Sequence, residues 1–103
     1  MPKLIILRGN SGSGKSAVAK ALRDQSTTDR KIAIVEQDYF RRFVLKEKER
    51  DNGENIALIR QTVEYALNHD YDVILEGILY APRYMGMINN LINKASDSWV
   101  YYF

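Results

Sequence analysis

The sequence predicts a three-layer α/β/α fold with a mostly parallel sheet of about four strands, in a single domain spanning residues 1–103. Two observations lead to this prediction. Strand-length apolar segments alternate along the chain with segments of helical character, which is typical of α/β proteins. The apolar residues within the strands are consecutive rather than alternating, as expected for strands buried on both faces of a parallel sheet.

The first half of the chain contains two of the predicted strands and the first helix. Residues 3–8 form the first strand, and an alanine-rich segment, residues 15–25, forms the first helix. After a polar connection, residues 31–36 form the second strand. The aromatic and basic segment 37–43 lies at the C-terminal end of that strand. The charged segment 46–55 is expected to be solvated surface.

The second half repeats the alternation of helix and strand. Apolar residues recur three and four positions apart within residues 54–69, which predicts a helix. Residues 71–77 form the third strand. Pro82 suits the first turn of the next helix, whose apolar stripe extends to Ala95, and residues 98–103 form the fourth strand. Because parallel strands are joined by right-handed crossovers, the order βαβαβαβ places the C-terminal strand ends on one side of the sheet.

A glycine-rich segment between the first strand and the first helix matches the phosphate-binding (P-loop) pattern G-x-x-x-x-G-K-S. The residues are Gly9, Asn10, Ser11, Gly12, Ser13, Gly14, Lys15 and Ser16, and Ala17 follows in the helix. Glycines let the backbone amides point at one spot, and the helix start adds free amides. We expect Lys15 to reach the β- and γ-phosphates and the Ser16 hydroxyl to bind Mg²⁺. The motif therefore predicts a site for the phosphates of a nucleotide and for Mg²⁺.

Two acidic residues follow the other predicted strands. Asp38 lies just after the second strand, where it would orient an attacking hydroxyl and accept its proton. Glu76 lies at the end of the third strand, where it would either bind Mg²⁺, directly or through water, or orient a water. The plainer interpretations are a helix N-cap for Asp38 and an ordinary polar strand end for Glu76. If the segment after Asp38 is helical, Arg41 or Arg42 shares its face and could hold an anionic group. Solvated surface charge is the alternative for both arginines.

Composition gives little support for several other classes of protein. The net charge of +2, from 15 basic and 13 acidic residues, gives little support for binding nucleic acid or an anionic membrane. The sequence contains no cysteine, so it has neither disulfides nor cysteine-based metal sites. It shows neither an apolar run long enough to span a membrane nor the pattern of a signal peptide. These observations are compatible with a cytoplasmic protein.

The segments GNSGSGKS, QDYFRR after the second strand and VILEG in the third resemble the small P-loop kinases and phosphotransferases. The nearest resemblance is to the branch that includes zeta-toxin-like kinases, chloramphenicol phosphotransferase and the kinase half of polynucleotide kinase. It implies a P-loop NTPase fold and ATP-dependent transfer of the γ-phosphate to a hydroxyl of a small-molecule or nucleotide-like acceptor. It also implies that Asp38 is the base, that Arg41 contacts substrate or phosphate, and that Lys15 and Ser16 take the loop's roles.

The end of the sequence departs from that family pattern. Such kinases usually continue beyond the fourth strand with lid arginines and a fifth strand, whereas this sequence ends at Phe103. We therefore expect a domain truncated at its C-terminus that binds nucleotide and transfers phosphate poorly. The apolar edge over residues 101–103 favours a homodimer. A nucleotide-binding module with slow or no hydrolysis and an inactive fragment are the alternatives. The acceptor and the choice between ATP and GTP stay open.

Overall fold

The computed structural model describes residues 2–10 and 12–103, and it has the predicted order of elements. The strands are β1 (Lys3–Arg8), β2 (Ile32–Glu36), β3 (Asp72–Gly77) and β4 (Asp97–Tyr102). The α-helices are α1 (Lys15–Asp24), α2 (Glu54–Asn68) and α3 (Ala81–Lys94), and a short π-helical segment, Tyr39–Val44, follows β2. The strands and α-helices agree with the predicted boundaries to within one residue.

The four strands form one parallel sheet in the order β2-β3-β1-β4. At the C-terminal ends of the strands, Arg8 pairs with Gly77 on one side and with Tyr102 on the other. Glu36 of β2 is the register partner of Glu76 of β3. The predicted fold class is therefore confirmed, and the segments that follow β1, β2 and β3 begin at the same edge of the sheet.

The two faces of the sheet are covered by different helices. Alternate strand residues such as Leu4 and Val73 pack beneath α2 and α3, and both are fully buried. The intervening residues, such as Leu7 and Ile74, pack against Ala19 of α1 on the opposite face. None of the helices in the described ranges combines the length and apolarity that crossing a membrane requires.

Strand β4 forms an edge of the sheet and presents several exposed aromatic side chains. Trp99, Tyr101, Tyr102 and Phe103 all retain substantial exposure. An apolar groove of about 440 Å³ lies between this strand and α1, and it is lined by Ile5, Leu7, Val18, Leu22, Tyr101, Tyr102 and Phe103. The outer backbone groups of an edge strand are a template for pairing with another strand.

Candidate functional site

The predicted phosphate-binding loop curves from the end of β1 to the start of α1, with Ser11 lying outside the described residues. Gly12 and Gly14 have φ angles of 78° and 92°, a left-handed conformation that glycine adopts without steric cost. The Gly14 carbonyl accepts the hydrogen bond of the Val18 amide at 3.0 Å and so begins the helix. The amides of residues 15–17, in the first turn, have no intrahelical partner and are suited to binding an anion.

The Lys15 side chain folds back over this loop. Its Nζ donates to the Asn10 carbonyl at 2.8 Å and to the Ser13 hydroxyl at 3.2 Å. Both partners are uncharged, and no carboxylate of residues 2–10 or 12–103 lies within ion-pair distance of the ammonium group. The positive charge of Lys15 is therefore held at the loop without being neutralised by an acidic side chain.

Acidic residues from two neighbouring strands face the start of α1. The Ser16 hydroxyl donates a hydrogen bond to the carboxylate of Glu76, which is buried. Glu36, the register partner of Glu76, lies on the same face of the sheet because Ile34 and Ile74, two residues earlier, both pack towards α1. Glu36 was not among the site residues predicted from the sequence, although its position at the end of β2 was a signal that could have identified it.

These groups surround a cavity of about 170 Å³, which we call the phosphate-loop cavity. It is lined by Gly12, Lys15, Ser16, Glu36, Asp38, Glu76, Gly77 and Ile78. The structure thus brings Lys15, Ser16, Asp38 and Glu76 to one edge of the sheet, as expected from the parallel topology. The remaining described loop residues are Gly9, Asn10, Ser13 and Gly14, and they form its backbone.

A second cavity of about 230 Å³, which we call the arginine cavity, adjoins the first. Its lining consists of Gln37, Asp38, Arg41, Arg42, Glu49, Ile78, Leu79, Tyr80 and Tyr84. Asp38 and Ile78 line both cavities, so together they form the boundary between them. A group bound at the loop and a group bound among the arginines would therefore meet at Asp38.

Both predicted arginines lie near Asp38, but their environments differ. The Nη2 atom of Arg41 lies 3.6 Å from an Asp38 carboxylate oxygen, and its Nε lies 3.0 Å from the carboxylate of Glu49. Nε of Arg42 lies 3.9 Å from the same Asp38 oxygen. The side chain of Arg41 is 14% exposed and that of Arg42 is 61% exposed. Arg41 is thus the fixed arginine of the pair, and Arg42 lies towards solvent.

Glu49 is one-third exposed and joins a polar cluster that was not predicted from the sequence, whose other members, Gln37, Asn55 and Tyr84, are buried. The Tyr84 hydroxyl lies 2.8 Å from a Glu49 carboxylate oxygen and 3.0 Å from the Asn55 side-chain oxygen. The amide of Gln37 donates to the same hydroxyl at 3.0 Å. Burial raises the pKa of Tyr84 above its ordinary value, and the hydrogen bond with Glu49 raises it further. Arg41 is thereby connected through Glu49 to the core of the domain.

The segment expected to be solvated surface is partly buried, and that expectation was wrong for Glu47. Its carboxylate accepts hydrogen bonds from the Glu54 amide at 2.7 Å and the Asn55 amide at 3.0 Å. The side-chain amide of Asn55 and the guanidinium of Arg50 add two more. Burial alone would raise the pKa of Glu47, yet these hydrogen bonds lower it to about 2. Glu47 thus supplies the N-terminal cap that Gly53, which has no side chain, does not provide.

Comparisons with known proteins agree with this geometry. The family model described as zeta toxin matches residues 1–96. The structure of an APS kinase CysC mutant from Mycobacterium tuberculosis superposes with a TM-score of 0.76 at 18% identity, covering 98% of this chain and 74% of that one.

Two structures of the Pnkp1/Rnl/Hen1 RNA repair complex contain a similar fold, with TM-scores of 0.77 and 0.79 at 22% identity. The superpositions cover 99% of this chain, which spans about a third of the chains it matches there, 33% and 35%. A search of curated proteins found no match.

Proposed function

The chain belongs to the zeta toxin family, and from that premise we propose that it is an ATP-dependent phosphotransferase that moves the γ-phosphate to a hydroxyl of a small-molecule or nucleotide-like acceptor. At a coarser level, the family and the fold support a nucleotide-binding phosphotransferase. The observation that carries the proposal is the position of Asp38 between two adjoining cavities, one formed by the phosphate-binding loop and one containing two arginines.

The phosphate-loop cavity is suited to the nucleotide. Amides at the start of α1 and the ammonium group of Lys15 would surround the β- and γ-phosphates. Lys15 now bonds only uncharged oxygens of the loop, so a phosphate oxygen would replace them without breaking an ion pair. Binding there would also stabilise the negative charge that develops as the γ-phosphate is transferred.

The arginine cavity is suited to the acceptor. An acceptor hydroxyl beside Asp38 would give its proton to the carboxylate while its oxygen forms a bond to the γ-phosphorus. The bond from that phosphorus to the bridging oxygen of ADP would break at the same time, and ADP would leave with the electron pair. Arg41 lies between Asp38 and Glu49, and in the proposed reaction it would contact the acceptor or the phosphate in transfer.

The oxygen groups next to the loop fit a magnesium ion. The Ser16 hydroxyl and the Glu76 carboxylate are in direct hydrogen-bond contact, and Glu36 lies beside Glu76 in the neighbouring strand. Carboxylate and hydroxyl oxygens are the ligands that Mg²⁺ prefers. In the described part of the chain neither Glu36 nor Glu76 forms an ion pair, so a bound cation would neutralise them. When bound with nucleotide, Mg²⁺ supplies positive charge to the β- and γ-phosphate oxygens.

The proposal is tested by measuring ADP release from Mg-ATP with a panel of hydroxyl acceptors that includes nucleosides, sugars and a 5′-hydroxyl RNA. At least one acceptor should raise ADP release above the rate with ATP alone. Asp38→Asn should lower transfer to that acceptor at least about 100-fold, because general base catalysis contributes on that scale. Affinity for a fluorescent ATP analogue should not fall by more than about threefold, since the loop and Lys15 stay intact and the change only removes a negative charge at the boundary of the phosphate-loop cavity.

The matched control is Asp29→Asn, which makes the same chemical change at an exposed position, and it should leave both readouts unchanged. Lys15→Met should abolish nucleotide binding. Nucleotide binding without stimulation by any acceptor would favour the alternative, a binding module with slow or no hydrolysis. Absence of Mg-nucleotide binding in the folded wild type would refute the phosphate site itself.

A further inference from the structure

The side chain of Arg8 is a buried cation that the proposed reaction does not use. Arg8 is the last residue of β1 and is only 7% exposed. It follows Leu4 and Ile6 on the face of the sheet that packs beneath α2 and α3, whereas Glu76 lies on the opposite face. Among the ion pairs that the described residues form, none involves Arg8.

The guanidinium group contacts only neutral partners. Nη2 donates to the Leu79 carbonyl at 2.5 Å, and Nη1 lies 3.3 Å from the Tyr102 hydroxyl and 3.3 Å from the Met85 sulfur. Its Cζ lies 5.3 Å from the centre of the Tyr102 ring. Burying a guanidinium without a carboxylate is costly, and an uncharged side chain of similar length would fill this space at lower cost. The charge-assisted bond to Leu79 is the strongest of these contacts.

Leu79 lies at the centre of the short connection between β3 and α3, residues 78–80. Its φ of 51° is left-handed, a conformation that costs energy in a residue with a branched side chain. Residues 78–80 all line the arginine cavity, and Ile78 also lines the phosphate-loop cavity. At the end of the connection, the Tyr80 carbonyl accepts hydrogen bonds from the amides of Arg83 and Tyr84, each at 3.0 Å. A donor that holds the Leu79 carbonyl thus fixes one wall of the arginine cavity.

We propose that Arg8 is a positioning residue, which holds the strained Leu79 carbonyl and thereby sets the shape of the arginine cavity without touching the nucleotide. The role of that cavity in binding an acceptor rests on the proposed function. The effect of Arg8 on the connection between β3 and α3 is independent of the proposed function. The experiments below therefore distinguish a failure of the positioning role from a failure of the proposed function.

The first test is residue-resolved amide hydrogen exchange of the wild type and of Arg8→Met, which keeps an unbranched apolar stem and removes the guanidinium group. The amides of Arg83 and Tyr84 report on the connection because both bond to Tyr80. We expect them to exchange about tenfold faster in Arg8→Met, which corresponds to about 1.4 kcal/mol. Amides of residues 73–75 in the centre of β3 should keep their rates.

Two further variants make the test specific. Arg8→Lys keeps a charged donor without the planar fork, so its exchange rates should lie between those of the wild type and Arg8→Met. Tyr102→Phe removes the hydroxyl near Arg8 and leaves the bond from Arg8 to the Leu79 carbonyl, so its exchange rates should match those of the wild type. If Arg8→Met does not fold, the exchange rates of the Arg83 and Tyr84 amides in Arg8→Lys test the proposal by the same comparison with residues 73–75.

The proposal would be overturned if the amides of Arg83 and Tyr84 exchange at the wild-type rate in Arg8→Met. An increase of the same size at residues 73–75 would also overturn it, because Arg8 would then contribute only general stability. With an acceptor from the screen, Arg8→Met should raise the acceptor KM about tenfold and leave the KM for ATP within about twofold. Equal changes in both KM values would contradict a role confined to the arginine cavity.

Discussion

Glu47 should stabilise the domain through its charge, although it lies in a segment that resembles solvated surface. We expect Glu47→Gln to lower the free energy of unfolding by about 2 kcal/mol at pH 7. The side chain of Glu47 is 8% exposed, and its carboxylate accepts hydrogen bonds from the amides of Glu54 and Asn55 at the start of α2. Glu49, two residues after Glu47, contacts Arg41. Loss of the Glu47 cap at the start of α2 should therefore also loosen the arginine cavity.

The magnitude follows from the pKa of Glu47. Hydrogen bonds lower this pKa from 4.5 to about 2, even though burial opposes ionisation. One pKa unit corresponds to about 1.36 kcal/mol, so the folded state favours the charged carboxylate by about 3 kcal/mol. Glutamine keeps one acceptor oxygen, which reduces the expected loss to about 2 kcal/mol. Because the folded-state pKa is the lower one, this stability is present above pH 4.5 and is lost as the pH falls towards 2.

Urea unfolding of the wild type and Glu47→Gln at pH 7 and pH 3 measures this effect. The difference between the two proteins at pH 3 should be less than about half the difference at pH 7. Glu54→Gln is the matched control, because it removes an equal charge from an exposed side chain at the same helix end, and it should cost only about 0.5 kcal/mol. A Glu47→Gln variant within about 0.5 kcal/mol of the wild type at pH 7, or a difference independent of pH, would refute the reasoning.

Three further changes test other parts of the structure. Gly77→Ala would place its Cβ 2.7 Å from the Cβ of Gln37, so we expect a loss of about 1–3 kcal/mol in urea unfolding, and unchanged stability would contradict this close packing. Tyr84→Phe removes a buried hydroxyl and should cost about 1–3 kcal/mol. Because the pKa of Tyr84 is raised in the folded state, the wild type should lose this stability above about pH 10, and an equal alkaline loss in Tyr84→Phe would argue against it. Tyr101→Lys on the exposed edge of β4 should convert a wild-type dimer to monomer in light scattering, and a wild type that is monomeric at every concentration would rule out the homodimer.

The sequence was sufficient to predict the fold and the edge of the sheet where the site lies. Consecutive apolar residues identify buried parallel strands, and parallel strands bring their C-terminal ends together without any knowledge of side-chain contacts. For that reason Lys15, Asp38 and Glu76 could be placed around one crevice although they are distant in the sequence. Their chemical roles remain predictions.

The side chains that support the site without lying at the phosphate-binding loop could not be predicted, because their roles depend on contacts between distant segments. The carboxylate of Glu49 contacts the hydroxyl of Tyr84, which is 35 residues away in the sequence. The guanidinium of Arg8 contacts the carbonyl of Leu79, which is 71 residues away. The composition of segment 46–55 resembles solvated surface, since it is rich in charge and has no helical period. Arg8 is the last residue of an apolar strand, where a charged side chain usually indicates that the chain enters solvent rather than a buried hydrogen bond.

The common boundary formed by Asp38 and Ile78 has a consequence for how such a protein could diversify. Under the proposed function, the nucleotide phosphates would lie on one side of this boundary, against a short contiguous stretch of backbone. The acceptor would lie on the other side, against the π-helical segment and the turn before α3. Substitutions in those two segments would then change which hydroxyl acceptor is bound and leave the phosphate-binding loop unchanged. A π-helical segment and turn grafted from a relative should therefore transfer the acceptor selectivity of that relative.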